Sequence, residues 1–238
     1  MEYRYTAIVL KKREVGETDR LYTFYTKEQG KVRAVAKGIR KSGARLASQL
    51  ENGMSVDVAV ARTRGTGKIT GALAEECYPK LRNQLETLHI VLMTLDRFER
   101  LVQFDEPDEK LYSLLTDFLV YAEKCAEENN EECARLLGAA FLFQVISQLG
   151  YPIEARVSAV SGEKFSGQER FFFSPAQGGV VFSDECGDHP ALLIKQNTIK
   201  LLRVFQVHRL SSVMKIRMTI HDLREFERVI IHLFEWVL

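Results

Sequence analysis

The residues whose types and spacing could do chemistry in this chain are cations. From Lys31 to Leu50 stand Lys31, Arg33, Lys37, Arg40, Lys41 and Arg45, with no acidic residue among them. On an extended strand the side-chain period of two puts Lys31, Arg33 and Lys37 on one face. Gly38 and Gly43 flank Arg40 and Lys41 and let that loop bend toward the backbone of a ligand. Arg62, Arg64 and Lys68 bracket a second hairpin tip. Cations so arranged match the phosphates of a nucleic-acid strand, each contact releasing counterions. A solvated charged face is the competing reading, and the absence of acids along the whole stretch favours binding. Tyr3, Tyr5, Tyr22, Phe24 and Tyr25 could stack on bases, although most are expected to fill a small core.

Catalytic constellations do not assemble. There is no nucleophile elbow, P-loop, HExxH or GxGxxG, and Gly65-Thr66-Gly67-Lys68 lacks the spacing of a phosphate loop. His89, His189, His208, His221 and His232 are dispersed, and nothing pairs a general acid with a base. The expectation is a protein that is not an enzyme. Cys77, Cys125, Cys133 and Cys186 show no CxxC spacing and read as free thiols in a reducing cytoplasm. No apolar run is long enough to span a membrane, and Met1-Glu2-Tyr3-Arg4-Tyr5 does not read as a secretory leader.

The elements that must position these cations follow from charge and periodicity. The chain has 238 residues, is 46% hydrophobic and carries a formal net charge of +1. Taken alone, that charge argues against a polyanion partner. It is an average over unlike parts. Residues 1–79 hold 15 Lys+Arg against 9 Asp+Glu, a net of +6, whereas residues 80–150 hold 7 against 13, a net of −6. Two functional regions are therefore expected, divided near Pro79.

In residues 1–79, alternation and β-branched or aromatic content predict strands over 3–13, 20–26, 31–38, 54–63 and 68–78, with a short helix over 44–51. Three strands, a helix and two strands describe a five-stranded Greek-key barrel of the OB type; an SH3-like barrel is the main competitor. Residues 80–238 read as a helical domain, so the fold class is α+β. Leucines at three- and four-residue steps predict helices at about 80–104, to about 128 after the Asp105–Asp108 break, and at about 131–149. A fourth helix is predicted from Leu192 to about 207 and a last one after the Thr219–Asp222 cap. Residues 153–188 break the helical period and predict an irregular β-insert. No acid occurs between Asp188 and Asp222, while Lys195, Lys200, Arg203, Arg209, Lys215 and Arg217 do.

Gly16-Glu17-Thr18-Asp19-Arg20, Tyr25-Thr26-Lys27-Glu28-Gln29-Gly30-Lys31-Val32 and Ala36-Lys37-Gly38-Ile39-Arg40-Lys41 together resemble the N-terminus of the RecO family of bacterial recombination mediators. The match is good over about the first 80 residues and holds beyond them mainly by layout. The resemblance implies an OB-fold followed by a helical domain. It also implies binding of single- and double-stranded DNA, annealing of complementary strands, action with RecR, and docking on the acidic C-terminal tail of the single-strand-binding protein so that RecA can load. For DNA the candidates are Lys31, Arg33, Lys37, Arg40, Lys41, Arg45, Arg62, Arg64 and Lys68; for the tail they are Lys195, Lys200 and Arg203. An OB-fold RNA-binding protein and an adaptor acting through its helices are the other readings. The family resemblance also implies a zinc site of two CxxC pairs in the insert. Here Ser158 and Ser161 stand at the first pair, and Phe182 with Glu185, or the adjacent Cys186, at the second. No zinc or other cofactor is expected, the insert being held by its aromatics.

Overall fold

A computed structural model describes residues 1–41, 46–62, 66–165 and 170–238. Arg45 and Arg64 lie outside the described residues. Five strands, β1 (Glu2–Val15), β2 (Asp19–Thr26), β3 (Gly30–Ala36), β4 (Ser55–Ala61) and β5 (Gly67–Glu76), close into a barrel in the order β1-β2-β3-β5-β4. The alternation expected of half-buried strands is what closes it. Tyr5, Ala7 and Val9 of β1, Tyr22 and Phe24 of β2, Val32 and Ala34 of β3 and Val56, Val58 and Val60 of β4 point inward into one apolar cluster. The barrel's ladders are antiparallel except β3–β5, which is parallel and, among the described residues, pairs Ala34 with Gly67 and Val35 with Lys68. Gly67 is required at that seam, because a Cβ there would collide with the Val60 side chain. The helix predicted over 44–51 is, among the described residues, only a 3-10 turn, Ala47–Gln49. It is too short to carry an apolar stripe, and it docks through the Gln49 amide, whose oxygen accepts the Ala74 N–H at 2.9 Å.

The helix predicted over 80–104 is broken into α1 (Pro79–Arg82) and α2 (Leu85–Leu101). The break falls at Gln84, whose backbone is extended, while the Glu123 carboxylate of α3 (Glu109–Glu127) caps the start of α1 by accepting the N–H groups of Lys80 and Leu81 at 2.9 and 2.7 Å. Asp108 caps α3 as expected, accepting from Lys110 and Leu111. The compact unit that holds the barrel runs from Met1 to Asn129 and so includes α1, α2 and α3. Pro79 marks where strand gives way to helix; the compact unit continues past it because α2 lies on the barrel wall.

The second unit runs from Asn130 to Leu238. Its centre is α4 (Glu131–Gln148), capped by Asn130 and buried around most of its circumference, from Leu136 and Leu137 through Ala140 and Phe141 to Val145 and Ile146. Around it pack α5 (Gln196–Val207), a 3-10 segment (Leu210–Lys215) and α6 (Ile220–Val237). The insert contributes β6 (Phe171–Ser174) and β7 (Gly179–Phe182) to a three-stranded sheet completed from beyond it by β8 (Leu192–Ile194), ordered β7-β6-β8. The fourth helix therefore starts later than predicted. Leu192–Ile194 pair with β6, and the Glu225 carboxylate accepts the Lys195 N–H at 2.7 Å, at the point where α5 begins. Among the described residues no helix is long and apolar enough to cross a membrane.

One buried contact decides how α2 meets the barrel. The Lys31 ammonium, 6% exposed, donates to the Glu99 carbonyl at 2.7 Å and stands 3.6 Å from its carboxylate. Arg33 reaches the same carboxylate at 3.4 Å, and both cations lie 4.5 Å from the centre of the Phe104 ring. Burial pushes the Lys31 pKa down and Glu99 pulls it back. The chain after α2 then runs along β3, with Asp105 N–H donating to the Lys31 carbonyl at 3.0 Å. Gly30 permits this approach, since a Cβ there would strike the Glu106 carbonyl. Lys31→Ala strands Glu99 without its buried partner and is expected to cost about 3–5 kcal/mol of unfolding free energy. Lys31→Met with Glu99→Leu should recover most of that loss in the same denaturant titration.

Candidate nucleic-acid interface

The outer wall of the barrel divides into a covered part and an exposed part. Under α2, Tyr25 meets Phe98 edge-on at 5.0 Å, and Lys11 pairs with Asp96 at 2.5 Å. Lys31 belongs to this covered part. It is therefore not a candidate contact for an external strand, contrary to the expectation from alternation. That reading placed its face correctly and missed the helix lying on it.

Beyond α2 the register aligns an exposed row. Arg13 pairs with Leu21, Leu21 with Val35, and Val35 with Lys68, across four strands. Arg33 and Lys37 sit two residues either side of Val35, on the same face. Arg13, Arg33, Lys37 and Lys68 are all exposed, so one patch collects four cations over the β1–β2–β3–β5 wall. Three of them were expected. Arg13 was missed; its signal was the period of two from Lys11, which puts Lys11 and Arg13 on one face of β1.

A fifth cation stands on the adjoining turn. Gly38, at φ +66°, reverses the chain after β3 and leaves Lys41 exposed beside Lys37. The turn is held from the neighbouring β1–β2 loop: the Asp19 carboxylate accepts the Gly38 N–H at 2.8 Å, and the Arg40 N–H donates to the Thr18 carbonyl at 3.0 Å. Thus Gly16–Arg20 and Ala36–Lys41, far apart in sequence, form one structure. The Gly38 N–H, then the Thr18 hydroxyl, hold the Asp19 carboxyl below its ordinary value. A carboxylate with a lowered folded pKa supports the turn above its unfolded value and releases it only as pH falls through the lowered one. Binding between pH 8 and pH 6 should therefore not change through this group.

Other expected contacts are engaged elsewhere. Arg62 pairs with Asp105 at 3.0 Å, and Asp105, at φ +57°, also accepts from Gln29. Arg40 is drawn to Glu14 at 3.2 Å; this exposed pair contributes no more than about 1 kcal/mol, so a phosphate can compete for it. Of the aromatics, Tyr5, Tyr22, Phe24 and Tyr25 are buried, while Tyr3 stays exposed, stacked on Tyr5 at 6.2 Å. Phe104, also exposed, adds a second ring beside Arg33.

In the second unit, Lys200 and Arg217 line a cavity of ≈ 210 Å³ together with Leu201, Val204, Ile216 and Met218 and with the polar Asn197 and acidic Asp222. Lys195 is exposed at the start of α5. Arg203 does not line that cavity: its guanidinium donates to the Ala155 and Arg156 carbonyls at 2.6 and 3.2 Å, tying α5 to the insert.

The positions expected of a zinc site do not fit a metal. Ser158 and Ser161 offer hydroxyls, Phe182 a phenyl ring, and Glu185 one carboxylate, whereas structural zinc takes four thiolate or imidazole donors. The Cys186 thiol lies 3.6 Å from the Phe182 carbonyl. Among the described residues no group of three or more His, Cys, Asp or Glu could hold a metal ion.

A family model described as "Recombination protein O N terminal" matches residues 1–78, and one described as "Recombination protein O C terminal" matches residues 82–238. A DNA repair protein RecO of Dehalococcoides mccartyi is 24% identical over 229 residues, which is 96% of this chain and 88% of that protein. Those of Pelotomaculum thermopropionicum and Gloeobacter violaceus are 32% and 30% identical over 181 and 188 residues. These spans cover 75% and 79% of this chain and 66% and 69% of theirs.

Lys37→Ala, Lys41→Ala, Lys68→Ala and Arg13→Ala are each expected to reduce the slope of log K against log salt by about 0.7 on a single-stranded oligonucleotide, read by fluorescence anisotropy. Thermal unfolding of these variants should match the parent.

Proposed function

The chain belongs to the recombination protein O family, and from that membership we propose that it is a non-catalytic mediator of DNA repair by recombination that works by holding DNA on its barrel. The observation that supports this most is the row of Arg13, Arg33, Lys37 and Lys68 with Lys41 on the adjoining turn, on a chain whose net charge is only +1. Two strands of DNA repel one another along their backbones. A cationic surface that takes either one lowers the cost of bringing them together, which is what annealing requires. The same patch serves single- and double-stranded DNA, because phosphate contacts carry no sequence information. Tyr3 and Phe104 are available to stack on unpaired bases.

Action with RecR and delivery of DNA to RecA belong to the same reading, as does docking on the single-strand-binding protein, in the bacterial cytoplasm. An acidic peptide with an apolar end needs apolar and cationic groups side by side. Lys200 and Arg217 with Leu201, Val204, Ile216 and Met218 supply both. Lys195 remains a candidate at the edge of that surface; Arg203 is better read as the tie between α5 and the insert.

The test is annealing of complementary oligonucleotides with and without the single-strand-binding protein. Lys37→Glu/Lys41→Glu/Lys68→Glu is expected to slow annealing at least about tenfold while leaving the fold intact, since each lost phosphate contact weakens binding and the reversed charge repels. An unchanged rate would remove the DNA site from this face. Stronger binding to RNA than to DNA single strands, without annealing, would favour an RNA-binding role instead. Lys200→Glu/Arg217→Glu is expected to abolish the stimulation that depends on the single-strand-binding protein and to leave annealing of bare oligonucleotides unchanged.

A further inference from the structure

The insert of the second unit brings Ser158, Ser161, Phe182 and Glu185 to one place although they come from two turns more than twenty residues apart. The first turn is built by Ser158. Its hydroxyl oxygen accepts the N–H groups of Val160 and Ser161, at 3.2 and 3.4 Å. Its backbone closes the same turn, with Ser158 N–H donating to Glu163 at 2.8 Å and Gly162 N–H donating back to Ser158 at 3.0 Å. The second turn is the 3-10 segment Ser183–Glu185 that follows β7. Its Glu185 carboxylate accepts the Phe182 N–H at 2.9 Å and reaches across to accept the Ser158 hydroxyl. Ser158 is 2% exposed, so its donor is satisfied inside the protein or not at all.

This arrangement resembles a metal knuckle in its backbone and differs from one in its centre. In a two-turn thiolate site, each turn aims ligand atoms at a shared ion while its own N–H groups bond the first ligand. Here the turn and its N–H bonds are present, and the shared point is occupied by a carboxylate oxygen. Phe182, which stands where a ligand is expected, turns its ring to Phe165 and Phe171 instead, with ring centres at 5.4 and 6.5 Å. Phe165 meets Phe171 in turn at 5.2 Å. The three rings close one side of the junction and the hydrogen-bonded carboxylate closes the other.

We infer that Glu185, with the hydroxyls of Ser158 and Ser161, is a metal-free clasp that joins the two turns of the insert in the place where a bound ion would join them. These contacts lie within the second unit and owe nothing to DNA binding by the barrel. Burial works against the carboxylate, and the bonds from Ser158 and Ser161 and from the Phe182 N–H nevertheless hold its pKa below the ordinary value, as a charged acceptor at the centre requires.

Hydrogen exchange on the full chain tests it. Glu185→Ala and Ser158→Ala are each expected to speed exchange of the Ser158–Ser161 and Phe182 amides at least about tenfold, with α4 and α6 unchanged, because a local tie opens locally. The double variant should exchange no faster than the worse single variant, as partners in one interaction do. A chelator added to the wild-type chain should change nothing. Exchange within twofold of wild type in both single variants, or loss of wild-type protection on chelation, would overturn the inference. A separate construction checks the convergence of the four positions. Ser158→Cys/Ser161→Cys/Phe182→Cys/Glu185→Cys is expected to take up one equivalent of zinc and to recover protection only when loaded. Failure to bind zinc would mean that these positions do not meet at one point.

Discussion

The ion pair between Lys31 and Glu99 is the contact on which the arrangement of the first unit depends. A lysine and a glutamate are both nearly withdrawn from water there, and neither tolerates that alone. The pairing is specific in a way an apolar patch is not. The ammonium must meet both the carbonyl and the carboxylate of Glu99, and Phe104 must lie against it. Tyr25 against Phe98 adds apolar area, but the polar contact sets the register of α2 on the wall. From that register follow the run of the chain along β3, the placement of Asp105 against Arg62, and the boundary between covered and exposed wall.

That boundary sorts the cations by use. Lys31 and Arg62 are spent on holding the α2–α3 connection to the barrel. Arg13, Arg33, Lys37 and Lys68 lie past the helix, and Lys41 stands on a turn that Asp19 secures. Arg33 belongs to both groups, reaching Glu99 with one nitrogen while its side chain stays partly exposed. The candidate DNA site is thus the part of a basic strand system that α2 leaves uncovered, with Arg33 at its edge shared with Glu99. Its location is set as much by Glu99, Asp96 and Asp105 as by the cations themselves.

The barrel was legible in the sequence because its signals are local: alternation in β3 and β4, and β-branched and aromatic content in β2, which is buried along most of its length. The closure order was less so, since β3 against β5 depends on Gly67 allowing Val60 to approach, a contact no window of residues contains. Lys31 shows the limit most clearly. Period two put it on the outward face with Arg33 and Lys37, and it does lie there, yet being outward is not the same as being wet once a helix from elsewhere covers the strand. The two motifs around Asp19 and Gly38 were recognisable as text. Their joint purpose, a carboxylate holding a turn across two strands, appears only when both are in place. In the insert, loss of thiolates was readable, and the aromatic packing with it, but the carboxylate that fills the gap was not, because Ser158 and Glu185 meet through folding rather than spacing. The late start of α5 has the same origin: Leu192–Ile194 fit a helix or a strand equally well, and pairing with Phe171–Phe173 decides for strand.

Among the described residues the seam between β3 and β5 shows two residue pairs, where its antiparallel neighbours show seven. A closed cylinder with one short join is a cuff, and its mechanics are those of the clasp edge. Arg33 and Lys37 stand on one lip of that edge and Lys68 on the other. Phosphates held as proposed over all three would bridge the two lips, so that one ligand would bear on both strands of the seam at once.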